Sequence, residues 1–203
     1  MGPERRSHII SENEKKITAF HEAGHALCAH LLPGTDPVQK VSIISRGRAA
    51  GYTLKVPIED RMFQSYTEFV NELVVLLGGT TAERVIFGEA TTGSSNDLEK
   101  ATEIARNLIT RYGMNEKLGP RTFGKAEDLI FLGKSIHESR DYSEHFAEII
   151  DQEIEKLIKE ALKRATELLM ENKDSLGKIT NELLEKETIE AAEFIKLVGP
   201  KKV

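Results

Sequence analysis

From Ser11 to Pro33 the chain admits one regular structure. Ser11 with Glu14 three residues on is a capping box, Ile17, Phe20, Gly24, Leu27 and Leu31 follow at helical spacing, and Pro33-Gly34 ends the run. His21-Glu22-Ala23-Gly24-His25 lies inside this helix, in phase with it. The H-E-x-x-H spacing sets two imidazoles one turn apart on one face, where both reach a single Zn²⁺, and leaves the glutamate beside a water on that ion. Zinc brings the pKa of such a water near neutrality, and the carboxylate can pass its proton to a leaving amine. Gly24 removes a side chain where a second backbone can approach. The competing reading is two solvated or core histidines beside a surface glutamate; the capped, in-phase helix favours the metal.

The pattern beyond this helix stays mostly helical. Val41-Ser42-Ile43-Ile44 and Gly51 to Val56 read as two short strands around the polar loop Arg46-Gly47-Arg48. Ser65 with Glu68 is a second capping box, and the segment to about Phe87 is apolar nearly all round and ended by Gly88, as expected of a buried helix. After the polar loop 91–95, a third helix carries Leu98, Ala101, Ile104, Ala105, Leu108 and Tyr112 on one side, with Gly113 as its stop. Residues 114–140 look irregular. One long charged amphipathic helix is expected over about 142–172, with shorter helices near 180–186 and 188–197. No internal repeat or low-complexity linker breaks the chain, so the expectation is one mainly α-helical (α+β) domain over 1–203 with a small β-sheet.

Composition removes several function classes. Twenty-eight Lys and Arg against 33 Asp and Glu are interleaved and leave a net charge of −5, which argues against a nucleic-acid partner. The longest apolar run, Leu73 to Leu77, is far short of the roughly 20 residues that span a bilayer, so no transmembrane helix and no direct membrane contact are expected of this segment. Cys28 is the single cysteine, which forbids an intrachain disulfide and makes the cell interior the default compartment. Gly133-Lys134-Ser135 resembles the end of a phosphate loop, but the glycine required five residues before Gly133 is Asp128.

A catalytic zinc needs a third protein ligand. His30 follows His25 by five residues and turns away from the pair. Cys28 is three residues after His25, but a lone cysteine on an apolar helix face is more often core. His8, His137 and His145 sit in no local motif. Asp97 is the better candidate, following a Gly/Ser turn and opening the third helix, although an aspartate there stabilises the helix dipole with no ligand role at all. Glu83 and Glu99 stay open as alternatives.

Glu4-Arg5-Arg6, Ala19 to Ala26, Leu76-Leu77-Gly78-Gly79-Thr80-Thr81-Ala82-Glu83 and Thr91 to Thr102 together resemble the protease domain of the FtsH-type membrane-anchored AAA proteases, in the family's order and over nearly the whole chain. The resemblance implies that His21, His25 and Asp97 are the zinc ligands, that Glu22 is the catalytic base, and that Glu83 orients a ligand histidine instead of binding metal. It further implies a zinc endopeptidase acting on unfolded or ATPase-delivered polypeptide in protein quality control, a hexameric ring, and a location on the cytoplasmic side of a bacterial inner membrane or of an organelle membrane. The family's membrane anchor and ATPase module are not found in this segment, so ATP would enter only through that module. Phe20 replaces the family's usual tyrosine and Ser45 its frequent proline; neither is a proposed ligand, and both bear on the substrate strand, for which Gly51 to Val56 or its neighbour is the expected template. The alternative is a helical interaction or assembly module derived from such a protease without activity; the intact H-E-x-x-H counts against it.

Overall fold

The computed structural model describes residues 11–45, 50–57, 62–124 and 141–201. The loop Arg46-Gly47-Arg48, the motif Glu4-Arg5-Arg6, His8, His137 and the segment Gly133-Lys134-Ser135 lie outside the described residues. The described residues form six helices and a small sheet: α1 (Glu12–Leu31), β1 (Val38–Ser42), β2 (Tyr52–Lys55), α2 (Tyr66–Phe87), a 3-10 turn (Thr92–Ser94), α3 (Ser95–Thr110), α4 (Glu144–Glu171), α5 (Lys173–Lys186), β3 (Thr188–Glu190) and α6 (Ala191–Val198). No described helix is long and apolar enough to cross a membrane.

Both expected capping boxes form, with the Ser11 and Ser65 side chains accepting from the backbone amides of Glu14 and Glu68. Gly88 ends α2 in the left-handed conformation, φ 83°, which a residue with a Cβ adopts only at a cost. The second half of α1 is buried on every side from His21 to His30, because α2, α4, α5, β1 and β2 all pack on it. Its contact with α2 is set by two glycines. A Cβ on Gly24 would collide with the Gly78 carbonyl oxygen and stand 2.7 Å from Ala82 Cβ, and a Cβ on Gly78 would stand 2.8 Å from the Gly24 carbonyl oxygen. The two backbones therefore touch directly. At the start of α1's buried stretch Phe20 packs edge-on against Phe87, ring centroids 5.5 Å apart, so the phenyl ring fills the end of the α1–α2 seam.

The sheet is antiparallel with order β2-β1-β3. Val41 pairs with Thr53 on one side and Ile189 on the other, and a register shift falls between Val38 and Lys40. β1 is thus the central strand and starts at Val38, three residues before the sequence pattern suggests.

Three expectations are corrected. Residues 188–190 are a strand, not the start of a helix, and α5 begins at Lys173 instead of near 180. Its inward face is Leu176, Ile179, Thr180 and Leu183, interrupted in the sequence by Gly177, and it stops at Glu187, which takes the left-handed conformation (φ 62°) without being glycine. The buried face of α3 is Ala101, Ala105, Leu108 and Ile109, while Leu98 is 44% exposed. Tyr112 is 46% exposed and lies beyond the helix end, where its ring stacks on Phe69 at 5.3 Å.

Two glycine substitutions separate packing from helix propensity. Gly24→Ala is expected to destabilise by about 1–3 kcal/mol because the methyl group meets backbone. Gly177→Ala, with nothing within 4 Å of the new Cβ, is expected to stabilise by about 0.5–1 kcal/mol. Urea midpoints of the two variants moving in the same direction would refute this account of the seam.

Candidate metal centre

The third and fourth turns of the Ser11-capped helix bring His21 and His25 to one face, with ring centroids 4.7 Å apart and each residue 8% exposed. Their Nε2 atoms are 3.0 Å from each other. Asp97 enters from the first turn of α3, its Oδ2 lying 3.2 Å from His21 Nε2 and 3.3 Å from His25 Nε2. Among the described residues this is the one group of three or more His, Cys, Asp or Glu side chains whose ligand atoms converge.

The outer nitrogens explain why the inner ones face each other. His25 Nδ1 donates to the Val75 carbonyl oxygen at 2.8 Å, and His21 Nδ1 donates to Glu83 Oε1 at 2.6 Å. An acceptor at each Nδ1 fixes the hydrogen there and leaves both Nε2 lone pairs inward. Both acceptors sit on α2, on either side of Gly79, where a Cβ would stand 2.5 Å from His21 Nε2 and 2.6 Å from His25 Nε2. Glycine at 79 is the space in which the imidazoles stand. Glu83 also accepts from the Thr91 amide at 2.5 Å and the Ser94 hydroxyl at 3.4 Å, so the carboxylate that orients His21 also fixes the turn leading into Asp97.

Charge in the site follows these contacts. Burial disfavours an imidazolium at His21, but hydrogen bonds to Asp97 and Glu83 and the charge of Glu22 outweigh it and, with no cation at Nε2, raise the group to about 9; a metal bound there would take the place of the Nε2 proton. Burial likewise works against the Asp97 carboxylate, and its hydrogen bonds to His21 and His25 hold it well below the usual range. Glu83 is lowered in the same manner, chiefly by His21 and Thr91 acting against burial. Glu22, only 6% exposed, is raised by burial, with His25 and His21 opposing.

The other candidates are elsewhere. Glu99 is exposed on α3, and Glu83 meets His21 from behind the ring. His30 is buried against Phe194, 5.5 Å between centroids, and His145 stacks beside Phe146 at the start of α4. Cys28 is fully buried next to Gly78, and burial pushes its thiol up to about 12. Sequence reasoning missed three residues of the site: Gly79, Gly51 and Thr53, whose hydroxyl donates to Glu22 Oε2 at 2.7 Å. Gly78-Gly79 inside a helix was a visible anomaly; nothing local marks Thr53.

The sequence that builds this site has known relatives. Residues 8–197 match the model of peptidase family M41, and the chain belongs to that family. It is 50% identical over 196 residues to the ATP-dependent zinc metalloprotease FtsH 1 of Thermoanaerobacter sp. (strain X514), covering 97% of this chain and 32% of that protein. It is 48% identical over 198 residues to the ATP-dependent zinc metalloprotease FtsH of Caldicellulosiruptor bescii, covering 98% and 32%, and 47% identical over 199 residues to that of Thermotoga maritima, covering 98% and 33%. The chain spans about a third of the length of these relatives.

The raised Cys28 thiol gives a direct check on the packing behind the site. Native protein at pH 8 is expected to resist alkylation, with full labelling of the one thiol only after denaturation. Stoichiometric labelling of the native fold at a rate typical of free cysteine would show that the α1–α2 seam opens.

Proposed function

We propose that this chain is a zinc endopeptidase for extended polypeptide, in which His21, His25 and Asp97 hold one zinc ion and Glu22 is the general base. The triangle of donor atoms carries the reading. Tetrahedral zinc with bonds of about 2.0–2.1 Å requires ligand atoms about 3.3 Å apart, and the three sides here are 3.0, 3.2 and 3.3 Å. With both Nδ1 hydrogens committed to Val75 and Glu83, two nitrogen lone pairs and a carboxylate oxygen converge, and a cation is what satisfies all three.

When bound, zinc supplies Lewis acidity, acidifying a water and polarising the scissile carbonyl. The chain's own residues do the rest. Glu22, adjacent to both histidines, takes the proton of the attacking water and returns it to the departing amide nitrogen, and its upward pKa shift moves it toward the value a base needs near neutral pH. Substrate lies as an added strand on β2, one of the two outer strands of the sheet, docked by main-chain hydrogen bonds with little regard for sequence. In the same reading ATP acts through an ATPase module outside this segment, six copies form a ring, and the substrates are unfolded proteins delivered on the cytoplasmic side of a membrane. The relatives' names support the ATP dependence, and the resemblance to FtsH-type proteases supports the rest.

One experiment, bound zinc together with casein cleavage, separates base from ligands. Glu22→Gln is expected to keep its zinc while activity falls by about two or more orders of magnitude. Asp97→Asn is expected to lose zinc in chelator competition, whereas a residue serving only the helix dipole would cost about 1 kcal/mol of stability or less and leave zinc in place. Unchanged hydrolysis in the first variant, or unchanged affinity in the second, overturns the corresponding assignment.

Orientation of His21 has its own signature. Glu83→Ala, which removes the partner of His21 Nδ1 and the anchor of the turn before Asp97 while keeping all three ligand residues, is expected to weaken zinc retention about 10–100-fold. Wild-type affinity would mean that ring packing alone fixes the imidazole.

A further inference from the structure

Strand β2 reaches the general base directly. Thr53 Oγ1 stands 2.7 Å from Glu22 Oε2 and 3.3 Å from the Glu22 carbonyl oxygen, so its single hydroxyl hydrogen goes to the nearer carboxylate. Among the described residues no other side chain donates a hydrogen bond to that carboxylate. Two residues earlier, immediately before the strand begins, a Cβ on Gly51 would stand 2.9 Å from Glu22 Cγ and 2.9 Å from Oε1. Segment 51–53 therefore cradles the carboxylate twice, with a hydroxyl on one oxygen and an absent side chain beside the other. Lys55, two residues further along, ties the strand to α2 through both oxygens of Glu72 at 2.7 Å.

We propose that Thr53 is a positioning residue for the general base: its hydroxyl holds Glu22 Oε2 and leaves Oε1 to meet the water, so the strand on which substrate docks also sets the orientation of the base. The inference rests on Glu22 being that base. A glutamate side chain free to rotate spends part of its time away from the reacting atoms, and a charge-assisted hydrogen bond from a strand is strong enough to prevent this. The Thr53 side chain itself exchanges no proton with substrate.

Thr53→Val keeps the shape and β-branching and deletes the hydroxyl; Thr53→Ser keeps the hydroxyl and deletes the methyl. In the zinc-loaded full-length protein, Thr53→Val is expected to bind wild-type zinc, to lower kcat on an unstructured peptide about tenfold and to leave KM within about twofold. Thr53→Ser is expected to recover most of kcat. The infrared difference spectrum of wild type against Thr53→Val should contain a shifted carboxylate stretch that vanishes when both proteins carry Glu22→Gln. Wild-type kcat in Thr53→Val, a Thr53→Ser variant as slow as Thr53→Val, a loss confined to KM, loss of zinc, or no Glu22-dependent band would each overturn the proposal. Failure of the underlying reading looks different: Glu22→Gln itself would then cleave at the wild-type rate.

Discussion

The contact between α1 and α2 at Gly24 and Gly78 is the constraint on which the centre depends. The approach of the two backbones lets the Val75 carbonyl, part of the α2 backbone itself, reach His25 and the Glu83 carboxylate, rooted on the same helix, reach His21. The same approach would drive any side chain at position 79 into the imidazoles, and glycine there removes the conflict. A helix interior with adjacent glycines gives up about 1 kcal/mol of propensity at each. The compensation is a seam without side-chain play, and a seam of that kind fixes ring orientation better than a layer of interdigitated leucines would.

Around this seam the electrostatics form an alternating chain: Glu83, His21, Asp97, His25 and Glu22, buried or nearly so, each beside a group of opposite tendency. A buried carboxylate or imidazolium alone would be costly, and the oppositely charged or hydrogen-bonding neighbours offset that cost. Glu83 occupies the junction, since it orients a histidine and also holds the turn before α3.

How much of this the sequence revealed follows from the range of each interaction. α1, α2 and the start of α3 were legible because capping boxes, Gly88 and the 91–95 loop act over three or four residues. The convergence of Asp97 with the H-E-x-x-H pair could be suspected from its turn but not separated from a dipole role, because that distinction depends on α2 standing between them. β3 was invisible: three residues are too few to show alternation, and Glu187 halts α5 without the glycine that usually signals such a stop. The exposed Leu98 and Tyr112 show the related difficulty in a helix whose apolar stripe is wider than the face it buries. Thr53 lay out of reach for a third reason, since an ordinary strand threonine acquires a partner only through the pairing of β2 with β1 and the packing of both on α1.

The strand order β2-β1-β3 has a consequence for the order of synthesis. Once β1 has left the ribosome it can pair with β2 almost at once, but its other neighbour, Thr188–Glu190, follows only after α2, α3, α4 and α5. At about 5–20 residues per second the wait is on the order of 7–30 s. Throughout that interval the strand at the centre of the finished sheet has an open side, with the amides and carbonyls around Val41 available to any extended chain nearby. The nascent protein thus carries, on the flank opposite β2, a transient strand-acceptor that β3 closes from within the same chain.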